Sequence, residues 1–151
     1  MKYYFFAIVF LGFSLAFTTD TNIPEILPIE EGAYEKISSG YGMRIHPVLK
    51  DERFHHGIDF AAKLGTPVRA TADGEVIEVA FKQNTYGHMV RIQHANGVQT
   101  LYAQLQDYIV QEGQSVQEGT IIGHVGNSGM STAPHLHYEV KVNGRTVDPL
   151  R

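Results

Sequence analysis

The chain has 151 residues, 43% of them hydrophobic, which is enough for one domain with a substantial core and too little for two. Its formal net charge is −4, and no run of basic residues provides the clustered positive face that a nucleic-acid partner requires. The chain has no cysteine, which excludes disulfides, thiolate metal sites and lipid-modified cysteine.

The first 16 residues have the features of a secretory signal peptide. Lys2 supplies a positive charge, and residues 3–17 form an apolar run that is shorter than the ~20 residues of a membrane-spanning helix. Because Ser14-Leu15-Ala16 is a small-x-small cleavage site, we predict a cut after Ala16. The protein is then exported to the periplasm or beyond the cell, without stable membrane insertion. An uncleaved anchor is the alternative.

Residues 17–36 are predicted to be a short acidic leader or linker. The segment is polar, carries Pro24 and Pro28, and lacks a regular apolar pattern, so we expect little structure of its own. The folded domain is predicted to cover residues 37–151.

The remaining sequence predicts an all-β domain, a single compact antiparallel sheet or sandwich. Short runs of alternating apolar residues are separated by Gly, Asn and Asp turn signals. The predicted strands are PVRA, GEVIEVAF, HMVRIQH, VQTLYAQL, TIIGHVG, HLHYEVKV and RTVDPL. Asn96-Gly97 and Asn143-Gly144 each predict a hairpin with a type I′ turn, which needs positive φ at both central residues.

The first hairpin predicts which residues share a face. A two-residue loop at Asn96-Gly97 pairs Met89 with Gln104. The predicted core face holds Val90, Ile92, Leu101, Ala103 and Leu105. The predicted polar face holds Arg91, Gln93, Thr100, Tyr102 and Gln104. A three-residue loop would shift the register by one residue.

The stretch HHGIDF places a histidine and an acid in one short segment. His55 and Asp59 are four residues apart, so on an extended chain both side chains lie on the same face, with His56 on the other. Gly57 stands between them. Taken alone, this pattern is also typical of an ordinary surface.

The stretch PHLHYEV supplies two more histidines. His135 and His137 are two residues apart, so on a strand they project from one face. Two neighbouring imidazoles are a poor core feature because buried polar rings need partners. The small, polar stretch GNSGMSTAP precedes the strand and leaves its entrance open.

Together these segments contain the ligands of a catalytic zinc site. Such a site uses three protein ligands and leaves the fourth position to water. The His-Asp pair and one of the two later histidines would provide two imidazoles and a carboxylate. The remaining histidine would lie beside the metal and handle protons. The spacing does not match the helical His-Glu-x-x-His signature of many metalloproteases.

At these residues the chain resembles the lysostaphin-type, LytM-like zinc endopeptidases, which cut peptide cross-links in bacterial cell walls. The segments that carry the resemblance are SSGYGMRIHPV, FHHGIDFAAKLGTPVRATADGEVIEVA, YGHMVRIQHANGVQTLYAQL and VQEGQSVQEGTIIGHVGNSGMSTAPHLHYEV, followed by VDP. The resemblance implies a β domain of the duplicated hybrid motif type, with a groove over Zn²⁺. It implies that His55, Asp59 and His137 are the zinc ligands, that His135 is a catalytic histidine, and that the substrate is a peptidoglycan peptide.

One position departs from the family pattern. The family's Tyr-Ala-His-Leu stretch supplies a second catalytic histidine, and here that residue is Gln104. A glutamine can donate a hydrogen bond to an oxyanion or accept one from water, but it cannot carry a proton. On the predicted register His88 and His94 lie on the opposite face and do not replace the missing ring. We expect a zinc endopeptidase in which His135 acts with Gln104.

Two alternatives remain open at this stage. The chain could be a catalytically impaired module that binds peptidoglycan or activates a partner hydrolase, as Gln104 suggests. GTPVRATADGEV and VQEGQSVQEGTIIG are also similar to carrier domains for biotin or lipoate, but no lysine stands at either hairpin tip. We expect a monomer, with a targeting protein or partner hydrolase as a further interaction.

Overall fold

A computed structural model describes residues 23–151 of the chain. In chain order the strands are β1 (Tyr34–Ser39), β2 (Gly42–Ile45), β3 (Glu52–His55), β4 (Ile58–Ala62), β5 (Pro67–Arg69), β6 (Gly74–Lys82), β7 (Gly87–Gln93), β8 (Val98–Tyr108), β9 (Ser115–Val116), β10 (Ile121–Val125), β11 (His135–Val142) and β12 (Arg145–Val147). The all-β prediction is confirmed. The predicted signal peptide and its cleavage site lie outside the described residues. Within residues 23–151, no helix has the length and apolar character to cross a membrane.

Ten strands form one antiparallel sheet, and β2 and β3 form a separate hairpin. Along the large sheet the order is β1-β4-β11-β8-β7-β6-β9, while β10 bridges β8 and β5. The long strand β8 therefore pairs with β7, β10 and β11. This arrangement brings β4, β11 and β8 side by side, and these three strands carry most of the predicted site residues.

Both faces of the central strands are buried, which differs from the predicted division into a core face and a polar face. One face packs into the main core, which includes Val90, Ile92, Tyr102 and Leu105. The other face carries a small apolar cluster of Met89, Leu101 and Ala103. Strands buried on both sides lose the simple alternation that marks a half-exposed strand.

The β7–β8 hairpin contains a three-residue loop, so the predicted two-residue register is wrong. Gln93 pairs with Gln99, and His94 N–H donates to the carbonyl of Val98 across the loop. Asn96 and Gly97 have the predicted positive φ values of 56° and 72°. The Asn143-Gly144 hairpin is confirmed, with Val142 opposite Arg145.

Strand β8 contains a bulge at Ala103 and Gln104. On one side of it Val90 pairs with Tyr102, and on the other His88 pairs with Leu105. Two residues of β8 therefore stand opposite Met89 alone, and Gln104 takes a left-handed φ of 57°. The bulge separates Gln104 from Tyr102, which points into the core instead of sharing its face.

Residues 27–36 pack on the domain instead of forming the loosely structured leader that was predicted. Ile29 is fully buried in the main core. The carbonyl of Pro28 accepts from Arg69 N–H, and the carbonyl of Leu27 accepts from the Arg69 guanidinium. Strand β1 pairs with β4 from Tyr34 onward. The prolines and acids of this segment obscured in the sequence the apolar residues that anchor it.

Candidate metal centre

Three side chains predicted as metal ligands meet at one point. His55 ends β3, Asp59 lies in β4, and His137 lies in β11 directly opposite Asp59. His137 Nδ1 is 2.9 Å from Asp59 Oδ1, and His55 Nε2 lies 3.1 Å from His137 Nδ1 and 3.2 Å from Asp59 Oδ1. All three residues are buried.

The chain does not run straight between His55 and Asp59, as the shared-face prediction assumed. It turns at Gly57 as it passes from the small hairpin into the large sheet. A Cβ at Gly57 would collide with the carbonyl oxygen of Tyr138 in the neighbouring strand. The glycine therefore allows the close backbone approach that brings the two side chains together.

The hydrogen bonds around His55 determine which ring nitrogen faces the centre. Its Nδ1 lies 2.7 Å from the carbonyl oxygen of Gly40. A carbonyl can only accept, so Nδ1 carries the proton and Nε2 presents a lone pair toward Asp59 and His137. Metal-binding histidines are commonly oriented by such a bond from the other nitrogen.

Glu139 orients His137 in the same way. The Nε2 of His137 lies 3.0 Å from Glu139 Oε1, which also accepts from the Tyr86 hydroxyl at 2.8 Å. The inward nitrogen of His137 is therefore Nδ1. Sequence reasoning overlooked Glu139, although the two-residue periodicity that joined His135 and His137 also places Glu139 on that face. No sequence signal pointed to Tyr86.

The cluster concentrates charge in a buried place. Burial would lower the pKa of His137, but hydrogen bonds with Asp59 and Glu139 outweigh it and raise the pKa to about 9. Burial would likewise raise the pKa of Asp59, but His137 and His55 hold it well below its ordinary value. A proton on His137 must leave before its Nδ1 can bind a metal.

The arrangement fits a zinc ion. Ligands about 2.0–2.2 Å from a tetrahedral zinc are about 3.3–3.5 Å from one another. The three inward atoms are 2.9 to 3.2 Å apart, so only a small outward movement is needed. Two imidazoles and one carboxylate, each imidazole held by an acceptor on its other nitrogen, match the donors that zinc prefers.

His135 lies beside this cluster and not within it. Its Nε2 is 4.0 Å from Asp59 Oδ1, while its Nδ1 lies 2.8 Å from the carbonyl oxygen of Ala133. Nδ1 therefore carries the proton, and Nε2 faces the centre with its lone pair. The Ser131 hydroxyl, 3.1 Å from the same Nδ1, helps to hold the ring.

Gln104 is buried at the floor of the same site, brought there by the bulge. Its Nε2 donates one of its two N–H groups to the carbonyl of Thr85 at 2.9 Å. Its Oε1 is buried and has no hydrogen-bond partner among the described residues. The side chain therefore presents an acceptor without a partner in this part of the chain, which suits the second of the two roles expected from the sequence, accepting a hydrogen bond from water.

The other histidines do not join the cluster. His94 bonds to the carbonyl of Asp73 and to the hydroxyl of Thr100 in the core. The ring of His88 packs against Phe81 and Tyr108. Within residues 23–151 neither ring is hydrogen-bonded to Gln104, and we keep the expectation that they do not replace the missing histidine.

A groove of about 420 Å³ runs over the cluster. The small hairpin contributes Arg44 and Phe54 to its wall, and Thr85, Tyr86 and Met130 contribute from the other side. The groove is open enough for an extended chain to reach His135 and the three converging side chains.

Comparison with known proteins agrees with this geometry. The chain is 52% identical over 122 residues to the DD-carboxypeptidase/endopeptidase Mpg of Neisseria meningitidis, a match that covers 81% of this chain and 28% of that protein. A zinc-containing peptidase from Vibrio cholerae has a TM-score of 0.76 at 39% identity, over 82% of this chain and 38% of that one. The catalytic domain of lysostaphin from Staphylococcus simulans has a TM-score of 0.69 at 33% identity, over 78% of this chain and 90% of that domain.

These matches establish the family. The chain spans less than a third of the length of the relatives that it matches in sequence. The family model described as peptidase family M23 matches residues 53–149, which is more than half of the chain. The chain belongs to peptidase family M23, and the lysostaphin-type resemblance predicted from its motifs is confirmed.

Proposed function

We propose that this chain is a zinc-dependent endopeptidase that hydrolyses peptide cross-links or stem peptides of bacterial peptidoglycan. The observation that carries the proposal is the convergence of His55, Asp59 and His137, whose inward atoms lie within 4.8 Å of one another at the floor of an open groove. The sequence relatives support the substrate class, since they include peptidoglycan DD-endopeptidases of Vibrio cholerae.

In this proposal His55 Nε2, Asp59 Oδ1 and His137 Nδ1 hold the metal. Zinc, when bound, polarises a carbonyl and lowers the pKa of its water toward ~7. Gly40 and Glu139 keep the two imidazole rings turned so that the correct nitrogens face inward. This orientation removes the need for the rings to reorganise during the reaction.

His135 acts as the general base and then as the general acid. Its Nε2 lone pair faces the reacting centre, so it can take a proton from the attacking water. The same nitrogen can deliver that proton to the leaving amine when the peptide bond breaks. The carbonyl of Ala133 holds the opposite N–H and stabilises the charged ring in between.

Gln104 has a more limited role than a histidine would have. Its free Oε1 can accept one hydrogen bond, which suits a water molecule or a peptide N–H at the floor of the groove. It cannot carry a proton between steps, so His135 alone transfers the proton from the attacking water to the leaving amine. We therefore infer an enzyme that is slower than one with histidine at this position.

Digestion of purified peptidoglycan by the full chain, with and without a chelator, tests the proposal. We expect released peptides whose new amino termini identify the cleaved bond, loss of release with chelator, and recovery with added Zn²⁺. A chain that binds zinc at one equivalent and releases no peptide would contradict it.

A second candidate function is favoured by Gln104 alone. The chain would then bind peptidoglycan peptides in the groove, or activate a partner hydrolase, without hydrolysing a peptide bond itself. Saturable binding of peptidoglycan fragments without turnover, together with turnover by the Gln104→His variant, would favour this reading.

We further infer export to the periplasm or cell exterior, where a peptidoglycan hydrolase meets its substrate. The predicted signal peptide supports this location, and fractionation of cells that express the full chain tests it. Recovery of the chain only in the cytosol would contradict the inference.

A further inference from the structure

A second pocket of about 350 Å³ continues the groove past the metal centre. It shares five residues with the first pocket and extends to Lys36 on β1; the shared residues are Arg44, His46, Asp59, Met130 and His135. Hydroxyl groups of Ser38, Ser39, Ser131 and Thr132 line it as well, with Pro47, Val48 and Met130 as apolar parts. Among residues 23–151, the only acidic residue that lines it is Asp59, which the proposed function assigns to the metal.

Arg44 has the features of an anion-binding residue. Its side chain is three-quarters buried, at 25% exposure, and its single ion-pair contact among the described residues is Asp59 Oδ2 at 3.4 Å. The guanidinium donates no hydrogen bond to any other residue within 23–151. Arg69 and Arg91 are also partly buried, but each guanidinium donates a hydrogen bond: Arg69 to the carbonyl of Leu27, and Arg91 to the carboxylate of Glu78.

Partial burial of the Arg44 guanidinium without acceptors costs hydration free energy, which a ligand that accepts its hydrogen bonds can restore. A guanidinium offers five N–H donors in a planar fork that matches a carboxylate. A partly buried guanidinium without acceptors loses hydration and gains little in return. Asp59 Oδ1 is occupied by His55 and His137, so only Oδ2 faces Arg44 and Asp59 does not fill both arms of the fork.

Lys36 adds a second positive charge to this pocket. It lies on β1 opposite Ala61 of β4, is exposed, and forms no ion pair in the part of the chain that the structure describes. Arg53, by contrast, is already paired with Asp51 through two short contacts and offers less to a ligand. The excess positive charge therefore lies on the Lys36 side of the metal centre.

We propose that this second pocket is a subsite for a free carboxylate of the peptide substrate, bound by Arg44 with Lys36 in support. The proposal rests on the proposed function, because it places the carboxylate beside the peptide bond that is cut. The apolar parts contributed by Val48 and Met130 would contact the aliphatic portion of the same residue. Peptides that lack this carboxylate are then poor ligands of the groove.

Cross-linked peptide fragments of peptidoglycan test the subsite in a binding measurement. One sample keeps its carboxyl groups, and a second has them converted to amides. Calorimetry with the zinc-loaded His135→Ala protein measures binding without turnover. We expect the free acid to bind about 10- to 100-fold more tightly, the range for a hydrogen-bonded charge pair. Equal affinity for the two samples overturns the proposal.

Three variants assign the effect to this pocket. Arg44→Gln should reduce the preference for the free acid to less than about 3-fold, and Lys36→Gln should reduce it partially. Arg145→Gln, an exposed arginine that lines neither pocket, is the matched control and should leave it unchanged. A full preference in both Arg44→Gln and Lys36→Gln overturns the assignment.

Two further controls separate this inference from the proposed function. Zinc content is measured for Arg44→Gln, because Arg44 touches Asp59; if zinc is lost, Lys36→Gln alone decides the outcome. Fragments amidated only at the chain end, or only at a side chain, identify which carboxylate is bound. An unsubstituted chain that prefers the free acid but cuts no fragment contradicts the endopeptidase proposal and leaves the subsite intact.

Discussion

Strands β8 and β11 carry a buried polar cluster on each of their two faces, and the two clusters differ in one essential respect. In the core, the hydroxyls of Tyr102 and Tyr138 both lie 2.9 Å from Thr71 Oγ1. The Thr100 hydroxyl is hydrogen-bonded to both Tyr102 and His94. The other ring nitrogen of His94 is hydrogen-bonded to the backbone carbonyl of Asp73, where this network ends. Every member is neutral, and burial lowers the pKa of His94.

The cluster on the groove side is charged and incomplete. Asp59 and Glu139 flank His137, and Gln104 adds an acceptor that has no partner within residues 23–151. A buried network of neutral groups in which each polar atom has a hydrogen-bond partner stabilises the fold. Under the proposed function, the three inward-facing atoms and the open acceptor are instead completed by a metal ion and a substrate, and this difference distinguishes the candidate site from a structural cluster.

The largest expected effect comes from removing a residue of the groove-side cluster. His137→Ala should abolish zinc binding and lower peptide release by ~10⁴-fold or more, since loss of a base alone costs ~10²–10⁴. Zinc content and product analysis measure both effects. His56→Ala, next to the cluster but outside it, is the matched control and should keep one zinc. A His137→Ala protein that retains stoichiometric zinc would refute the ligand assignment.

Gln104→His tests how far the groove-side cluster is from full activity. We expect peptide release to rise by ~10²-fold, the lower end of the range for a positioned acid or base. Histidine tolerates the left-handed backbone that the bulge imposes at this position. Gln104→Ala controls for removal of the amide. An unchanged rate with zinc intact would show instead that glutamine is fully tolerated.

Glu139→Gln weakens the hydrogen bond that orients the ring of His137. We expect zinc affinity to fall by ~10- to 100-fold, because the carboxylate that orients His137 is lost while its shape is kept. Tyr86→Phe, which removes only the hydroxyl that bonds Glu139, should have a smaller effect. Competition with a chromogenic chelator measures both affinities, and wild-type affinity in Glu139→Gln would contradict the proposed orientation.

The smallest effect on function is expected in the core cluster. Tyr102→Phe leaves Thr71 N–H and Thr100 without their acceptor, so unfolding free energy should fall by ~1–3 kcal/mol. Zinc affinity should not change. Denaturant titration and zinc titration of the same protein measure the two quantities. If zinc affinity fell with stability unchanged, the two clusters would not be independent.

Much of this outcome could be predicted from local sequence. Turn residues and alternation are local signals, so most strands and the positions of both hairpin turns were predicted correctly. The pairs His55–Asp59 and His135–His137 were recognised because their spacing is short. Glu139 was within reach of the same periodicity and was overlooked, whereas Tyr86 and Arg44 come from distant segments and carry no local signal.

The errors have physical causes in the tertiary structure. One extra loop residue shifted the register of β7 and β8, and a bulge then turned Gln104 away from the face of Tyr102. Residues 27–36 were predicted to be loosely structured because their burial depends on partners such as Arg69. Neither effect can be read from a residue's immediate neighbours.

The sequence by itself determined the all-β class, the family and the residue types available for a metal, because these depend on composition, periodicity and short motifs. The tertiary structure decided which nitrogen of each histidine faces inward, since Gly40, Ala133 and Glu139 reach the rings only after the strands pair. It also placed Arg44 beside Asp59 with no hydrogen bond to any residue in the part of the chain that the structure describes. Directed hydrogen bonds require geometry in three dimensions, and a linear pattern specifies only which groups are available to form them.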